Sequence, residues 1–243
     1  MNQSSQNTLK PPHTNASEKE PIVVFTGAGV SAESGLLTFR DMGGIWNQYD
    51  VTEVASPLAW RRQPELVLQF YNERREKVIV ASPNAAHYAI AQLEEKFDVT
   101  VITQNVDDLH ERAGSSKVLH LHGEIRKVRS TLDSKLVYEW PEAHLVLGQL
   151  CEKGSQLRPH IVWFGESVFA MHEAAQLFGQ AKKVLVVGSS LVVQPAASLL
   201  AYAPFEAEKV LINLEHAKAP VHYEYLQGSA CEQVPTLVER WLL

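Results

Sequence analysis

The chain has 243 residues, 45% of them hydrophobic, and its 22 basic and 28 acidic side chains give a net charge of −6. This length fits one large domain, or a domain with a smaller insert, and it is sufficient to bury a sizeable core. The mild acidity argues against nucleic acid as the main partner, because proteins that bind nucleic acids present basic patches to the phosphates. A peptide or a small cofactor fits better.

Two cysteines, Cys151 and Cys231, lie far apart in the chain. They can form neither a disulfide framework nor a four-cysteine zinc site, which favours a reducing compartment. No apolar run is long enough to span a bilayer, and the N-terminus lacks the apolar core of a secretory signal. We expect a cytoplasmic protein without membrane contact, beginning with a disordered polar tail over residues 1–20.

From Pro21 onward, short apolar β-branched runs alternate with helical patterns. The predicted strands are Ile22–Thr26, Val99–Gln104, Val118–His122, Ile161–Phe164, Val184–Gly188 and Val210–Leu214. The predicted helices are Asn84–Phe97, Val106–Ala113, Met171–Ala181, Pro195–Tyr202 and Val234–Leu242. Several strands are apolar at consecutive positions, as in strands buried on both faces of a parallel sheet. The alternation predicts an α/β fold with a doubly wound, Rossmann-like parallel sheet.

Two segments interrupt this alternation and are predicted to form a second, smaller lobe. Residues 42–82 are rich in helical pattern, and residues 125–158 are irregular. The domain built on the predicted sheet then comprises residues 21–41, 83–124 and 159–243.

The first predicted strand leads directly into Gly27-Ala28-Gly29-Val30-Ser31-Ala32-Glu33. This G-x-G-x-x-A pattern between a strand and a helix start suits a pyrophosphate, although glycines also form ordinary turns. The acidic ribose-binding residue of a dehydrogenase, expected about 20 residues later, is missing. Instead, Thr38-Phe39-Arg40 and the glycines before Trp46 suggest a mobile cover over the cofactor.

Polar residues follow other predicted strands, at the edge where doubly wound sheets bind ligands. Gln104, Asn105 and Asp107 follow one strand, where capping of the next helix is the alternative function. An isolated histidine is more often structural than catalytic, but the ordinary pKa of histidine suits a proton acceptor at neutral pH, so His122 is a candidate base and His120 on the same face is its rival.

Six motifs occur in the order GAGVSAESGLLTFRD, TQNVDDLH, LHLHGE, RPHIVWFGE, VVGSSLVVQPA and INLE. Together they resemble the sirtuin family of NAD-dependent protein-lysine deacylases, over essentially residues 21–243. The resemblance implies that His122, Asn105 and Asp107 are catalytic. The positions implied to bind NAD are Gly27, Ala28, Gly29, Ser31, Glu33, Thr38, Phe39, Arg40, Trp46, Gln104, Asn105, Asp107, Gly188, Ser189, Ser190, Asn213, Glu215, Ala230 and Cys231.

The resemblance also implies where an acyl-lysine peptide binds. The matching segment is Val162, Trp163, Phe164, Gly165 and Glu166, which a purely structural strand would explain as well. Tyr71 and Arg74 share the apolar stripe of a predicted helix over residues 64–78 and, with Ala55, resemble the subgroup that removes succinyl and malonyl groups. An intramolecular salt bridge is the alternative for Arg74, and Arg75 is expected to be solvated.

Sirtuins usually carry four zinc cysteines in the segment that corresponds to residues 125–158. Here Ser130 and Asp133 occupy the first pair of positions and Cys151 alone remains near the second. We expect no zinc and an insert held by apolar burial; a mixed site of Asp133, Cys151 and a histidine is the alternative.

The resemblance predicts an NAD-dependent deacylase that transfers acidic acyl groups, and possibly acetyl, from protein lysine to ADP-ribose and releases nicotinamide. His122 would act as the general base on a ribose hydroxyl. The rivals are a mono-ADP-ribosyltransferase, an ordinary dehydrogenase, and a catalytically silent NAD- or ADP-ribose-binding module. The sequence does not define the oligomeric state.

Overall fold

The computed structural model describes residues 19–36, 54–215 and 220–243. Its main sheet has six parallel strands in the order β3-β2-β1-β7-β8-β9. These strands are β1 (Pro21–Thr26), β2 (Asp98–Thr103), β3 (Val118–His120), β7 (Lys183–Val187), β8 (Glu208–Asn213) and β9 (Glu224–Gln227). The predicted α/β class is confirmed.

Both faces of the main sheet are covered, which explains the consecutive apolar residues of its strands. On one face Ile22 and Val24 pack against α3 (Ala85–Gln92) and α6 (Ala230–Leu242). On the other, Val23 and Phe25 pack against α5 (Met171–Gln180) and a 3₁₀ helix over Ala196–Tyr202. Successive residues of a strand therefore contribute to opposite halves of the core.

A second, antiparallel sheet in the order β5-β4-β6 forms the smaller lobe. Its strands are β4 (Gly123–Ser130), β5 (Val137–Glu139) and β6 (Leu157–Ile161). Among the described residues of the first insertion, the helices α1 (Pro57–Arg62) and α2 (Pro64–Val80) belong to this lobe. Val67 and Tyr71 of α2 pack with Ile125 and Ile161 of the sheet, so the two insertions share one core.

The structure corrects several predicted elements. The strand predicted over Ile161–Phe164 ends at Ile161 and belongs to the small sheet, while the strand predicted to reach His122 stops at His120. Strand β9 was not predicted, because it is a short, half-exposed edge strand. The helix predicted over Val106–Ala113 is α4, which covers only Leu109–Ala113.

Other helices are shorter or tighter than their patterns suggested. The glycine loop continues as a 3₁₀ helix, Ala28–Ser34, and α3 is followed by a 3₁₀ turn, Leu93–Glu95.

No helix in the described ranges has the length and apolar character needed to cross a membrane.

Candidate active site

The candidate site lies at the carboxyl edge of the main sheet. The chain runs from β1 to β2 on one side and returns through β7 on the other, so the strand order reverses at β1. Doubly wound sheets bind ligands in the crevice at such a point. The segments that follow β1, β2, β7 and β8 carry most of the residues predicted to bind NAD.

The glycine loop after β1 packs directly on the loop after β7. The amide of Gly27 donates to the Val187 carbonyl at 3.0 Å, and that of Gly29 donates to the Gly188 carbonyl at 2.9 Å. A Cβ on Gly29 would lie 2.6 Å from the Gly188 Cα. The glycines are therefore required for the contact between two loops, and this contact forms the floor of the crevice.

Asn105 and Asp107 are buried beside this loop. The side-chain amide of Asn105 donates to the Gly27 carbonyl at 3.2 Å and to Ser31 Oγ at 3.3 Å. Ser31 Oγ donates to Asp107 Oδ2 at 3.1 Å, and Asp107 Oδ1 accepts from the Leu109 amide at 3.2 Å. Asp107 thus accepts from the first residue of α4, although the N-cap residue is Asp108, and it also belongs to the crevice. Burial raises the pKa of its carboxyl group.

His122 is arranged as a proton acceptor. Its Nδ1 lies 2.9 Å from the Gln104 carbonyl, which has only lone pairs to offer, so Nδ1 carries the hydrogen and Nε2 keeps its lone pair. Burial lowers the pKa of this histidine below its ordinary value, against the effect of the Gln104 bond. The ring is therefore neutral at pH 7.

His120 has a different environment from His122. Its Nδ1 lies 3.1 Å from the Asn105 carbonyl and its Nε2 lies 2.7 Å from Glu111 Oε1. Although burial opposes protonation, the bond to Glu111 raises the pKa of His120. Both of its ring nitrogens have protein partners, so the geometry favours His122 as the base.

Polar groups continue from this region along the edge towards β8. Gln104 Nε2 donates to Ser189 Oγ at 2.9 Å, and Asn213 Nδ2 donates to the Ser189 carbonyl at 3.1 Å. Ser190 is half-buried and Glu215 is exposed. At the start of α6, where Ala230 is buried, the Cys231 amide donates to Glu33 Oε2 at 3.0 Å.

The predicted acyl pocket lies on the small lobe. Tyr71 is buried with Ala55 and Trp163, and its ring centroid is 6.4 Å from that of Trp163. Burial raises the pKa of Tyr71 to about 12. Arg74, one turn further along α2, is half-buried, with its guanidinium carbon 5.6 Å from the Phe70 ring centroid.

The loop after β6 connects the base to this pocket. The Val162 amide donates to the His122 carbonyl at 2.9 Å, and the Phe164 amide donates to the Ala55 carbonyl at 3.0 Å. Phe164 and Gly165 are exposed, whereas the Glu166 carboxylate is held by Arg129 and Arg158. Glu166 therefore makes contacts within the protein that the sequence did not predict.

The prediction that Arg75 is solvated is wrong. This side chain is fully buried and donates to the carbonyls of Ile125 at 2.8 Å and Ala143 at 3.1 Å, and to Asn72 Oδ1 at 3.0 Å. Thr38, Phe39, Arg40 and Trp46, predicted to cover the cofactor, lie outside the described residues.

Sequence reasoning also missed a buried pair of histidines behind Asp107. The rings of His87 and His110 lie 4.8 Å apart, and His110 Nε2 is 3.0 Å from Thr26 Oγ1. Burial lowers the pKa of both rings, to about 4 for His87, so both are neutral. The sequence offered one signal for His87: it lies three residues after the helix-capping Asn84, in the N3 position of a capping box. There its Nδ1 accepts from the Asn84 backbone amide at 3.3 Å.

Comparison with known proteins identifies the family. A model described as the Sir2 family matches residues 27–195. A Helicobacter pylori (strain J99) protein named NAD-dependent protein deacylase is 48% identical over 221 residues, covering 90% of this chain and 94% of the relative. A Bacteroides thetaiotaomicron protein of the same name is 47% identical over 225 residues, covering 89% and 95%.

Solved structures agree with the sequence relatives. A Sir2 homolog–NAD complex has a TM-score of 0.82 at 42% identity and covers 92% of this chain and 90% of that one. A Sir2–p53 peptide–NAD⁺ complex has a TM-score of 0.75 at 31% identity, with coverage of 92% and 94%. The chain therefore belongs to the Sir2 family of NAD-dependent protein deacylases.

Proposed function

We propose that this NAD-dependent deacylase acts preferentially on lysines that carry acidic acyl groups, succinyl or malonyl. The observation that supports the proposal is the pairing of Tyr71 with Arg74 on one turn of α2, beside Ala55 and Trp163. A planar guanidinium suits bidentate binding of a carboxylate, and a phenol can add a third hydrogen bond.

The electrostatics of Arg74 support an anionic ligand. Burial lowers the pKa of its guanidinium, while Tyr71 and the carboxylate of Asp107 oppose this shift. The cation therefore lies in electrostatic reach of Asp107 in the crevice. A carboxylate at the end of a short acyl chain would stabilise the charged form of this arginine.

The residues at the crevice fit NAD in chemical character. Polar groups extend from Asn105 and Asp107 through Ser189 to Asn213, which is the distribution that an elongated dinucleotide with two riboses requires. When bound, NAD supplies the ribose that accepts the acyl group as nicotinamide leaves. His122, which is neutral and keeps the lone pair of Nε2, would take the proton from a hydroxyl of this ribose.

A panel of acyl peptides with NAD tests the proposal. Mass spectrometry should show faster removal of succinyl and malonyl than of acetyl groups. Loss of charge-assisted hydrogen bonds in Arg74→Met should reduce kcat/KM for the succinyl peptide by roughly 10- to 100-fold and leave the acetyl peptide nearly unaffected. Arg62→Met, an exposed arginine of α1, is the matched control. Equal rates on succinyl and acetyl peptides, unchanged in Arg74→Met, would contradict the acyl preference.

We also propose that the insert is held without zinc. Ser130 Oγ accepts from the amides of Leu132 and Asp133, each at 3.1 Å, and lies 3.4 Å from Cys151 Sγ. Lys153 Nζ lies 2.8 Å from Asp133 Oδ2. Ser130 and Cys151 thus bond to each other, and the Asp133 carboxylate is paired with Lys153, so each candidate ligand already has a protein partner. Stoichiometric zinc in the purified protein, measured by metal analysis, would refute this proposal.

Metal-ligating side chains do come together elsewhere. In the described ranges, the one group of three or more such residues is Glu111, His120 and Glu124, whose donor atoms lie within 4.8 Å of one another. His120 bonds to Glu111, and Glu124 lies 2.8 Å from Lys127 Nζ. These ion pairs account for the cluster without a metal.

A further inference from the structure

The loop that follows β6 ends on a carboxylate with four hydrogen-bond donors. Glu166 Oε1 accepts from Arg158 Nη1 at 2.7 Å, and Oε2 accepts from Arg158 Nη2 and Arg129 Nη2, both at 3.1 Å. The Trp163 amide donates to the same Oε2 at 2.8 Å. These bonds fully engage the carboxylate, so Glu166 has little capacity left for a substrate.

The two arginines need this carboxylate. Arg129 on β4 and Arg158 on β6 are direct cross-strand partners, and both are buried. Like charges directly opposite each other destabilise an antiparallel pair. Burial and the neighbouring Arg158 lower the pKa of Arg129, and Glu166 opposes that shift. The three side chains form one unit, the Arg129–Glu166–Arg158 triad.

The triad fixes the path of residues 162–166. The Arg158 guanidinium lies 3.2 Å from the Trp163 ring centroid, and Trp163 packs in turn against Tyr71. On either side of Trp163, the Val162 and Phe164 amides bond to the carbonyls of His122 and Ala55. One short segment therefore joins the general base to the acyl pocket, and the triad is its anchor.

We propose that the Arg129–Glu166–Arg158 triad is a positioning device that sets the distance between His122 and the acyl pocket formed by Ala55, Tyr71 and Arg74. Glu166 acts through the loop and does not itself contact the peptide. The triad thereby determines affinity for the acyl peptide and leaves NAD binding, on the main sheet, unaffected. This inference rests on the proposed acyl pocket and its preference for acidic acyl groups.

Steady-state kinetics on the full chain separate positioning from direct contact. Glu166→Gln keeps the shape of the side chain but leaves two facing arginines without an anion. It should raise KM for the succinyl peptide about tenfold, while KM for NAD should change less than about twofold. Arg129→Met keeps the bidentate Arg158–Glu166 pair and should raise the same KM only about threefold. Glu224→Gln, which removes an exposed ion pair with Arg240, is the matched control.

The double variant gives the decisive result. Adding Arg129→Met to Glu166→Gln removes the repulsion between the facing arginines, so peptide affinity and melting temperature should recover towards wild type. A glutamate that contacts the peptide directly would show no such rescue. Absence of rescue, an unchanged peptide KM in Glu166→Gln, or an equal rise in KM for NAD would each overturn the inference.

Fluorescence anisotropy with succinyl and acetyl peptides measures binding without turnover and keeps the two proposals separate. Equal rates of wild type on the two peptides would remove the proposed acyl preference, while peptide binding by the variants would still test the triad. If wild type prefers the succinyl peptide but the double variant does not recover peptide binding, only the triad proposal fails.

Discussion

The same substitution at two adjacent arginines of α2 should destabilise the fold to very different extents. Arg75 is fully buried and donates three hydrogen bonds, to Asn72 Oδ1 and to the carbonyls of Ile125 and Ala143. These acceptors belong to α2, to β4 and to the segment after β5, so the guanidinium connects the two insertions of the small lobe. Arg74 is half-buried and belongs to the proposed acyl pocket.

The magnitude follows from the bonds that are lost. Three hydrogen bonds to a charged donor contribute roughly 1.5–3 kcal/mol each, which sets an upper limit of about 9 kcal/mol. Burial lowers the pKa of Arg75 to about 10, so desolvation of the cation offsets part of that contribution. We expect Arg75→Met to reduce the free energy of unfolding by about 2–4 kcal/mol, because one buried carbonyl and one part-buried carbonyl lose their donors. Arg74→Met should cost less than about 1 kcal/mol.

Urea denaturation followed by circular dichroism measures both variants. The midpoint should fall for Arg75→Met at unchanged slope, and the melting temperature should drop by roughly 5–15 °C for a chain of this size. Arg75→Lys tests the geometry, since a point charge cannot supply three donors in a planar arrangement. Equal stability of Arg74→Met and Arg75→Met would refute the assignment of structural and ligand-binding functions to these two residues.

Three further predictions concern the crevice. Because burial lowers the pKa of His122, the acidic limb of kcat/KM against pH should have its midpoint below pH 6.5, and a midpoint above that value would contradict a buried neutral base. His87 has a folded pKa of about 4, so its contribution to stability is present above pH 6.5 and is lost as the pH falls. The loss in the free energy of unfolding between pH 7.5 and 5 is about 2 kcal/mol. Urea titrations at these two pH values should show that His87→Gln lacks this contribution. Gly29→Ala should destabilise the fold by roughly 1–3 kcal/mol and weaken NAD binding in calorimetry, because the added Cβ would lie 2.6 Å from the Gly188 Cα. Gly179→Ala is the control and should do neither, since its Cβ would lie 3.9 Å from the nearest atom.

The main sheet could be predicted because its strands carry their information locally. Residues 22–25 and 184–187 are apolar at every position, and that pattern is typical of a strand covered on both faces. The strand near residue 161 was assigned to the wrong sheet because the same apolar run suits either sheet. Its true partner is β4, and their pairing of Gly123 with Ile161 is a long-range fact that periodicity does not contain.

The catalytic side of the site was more accessible to sequence reasoning than the substrate side. Asn105, Asp107 and His122 follow recognisable strands, so their position at the sheet edge could be inferred. On α2, both Arg74 and Arg75 lie at helical spacing from Val67, Tyr71 and Val78, and the pattern alone cannot rank them. Arg75 points into the protein because its guanidinium bonds to the carbonyls of Ile125 and Ala143, which lie 50 and 68 positions further along the chain.

The position of His122 in the chain has a mechanical consequence. Strand β3 of the main sheet ends at His120 and β4 of the small sheet begins at Gly123, so His122, the proposed base, lies on a two-residue connection between the two lobes. Backbone hydrogen bonds hold this connection on both sides: the Leu121 amide donates to the Thr103 carbonyl at 2.9 Å, and the His122 carbonyl accepts from the Val162 amide at 2.9 Å. A shift of either lobe is therefore transmitted directly to the histidine.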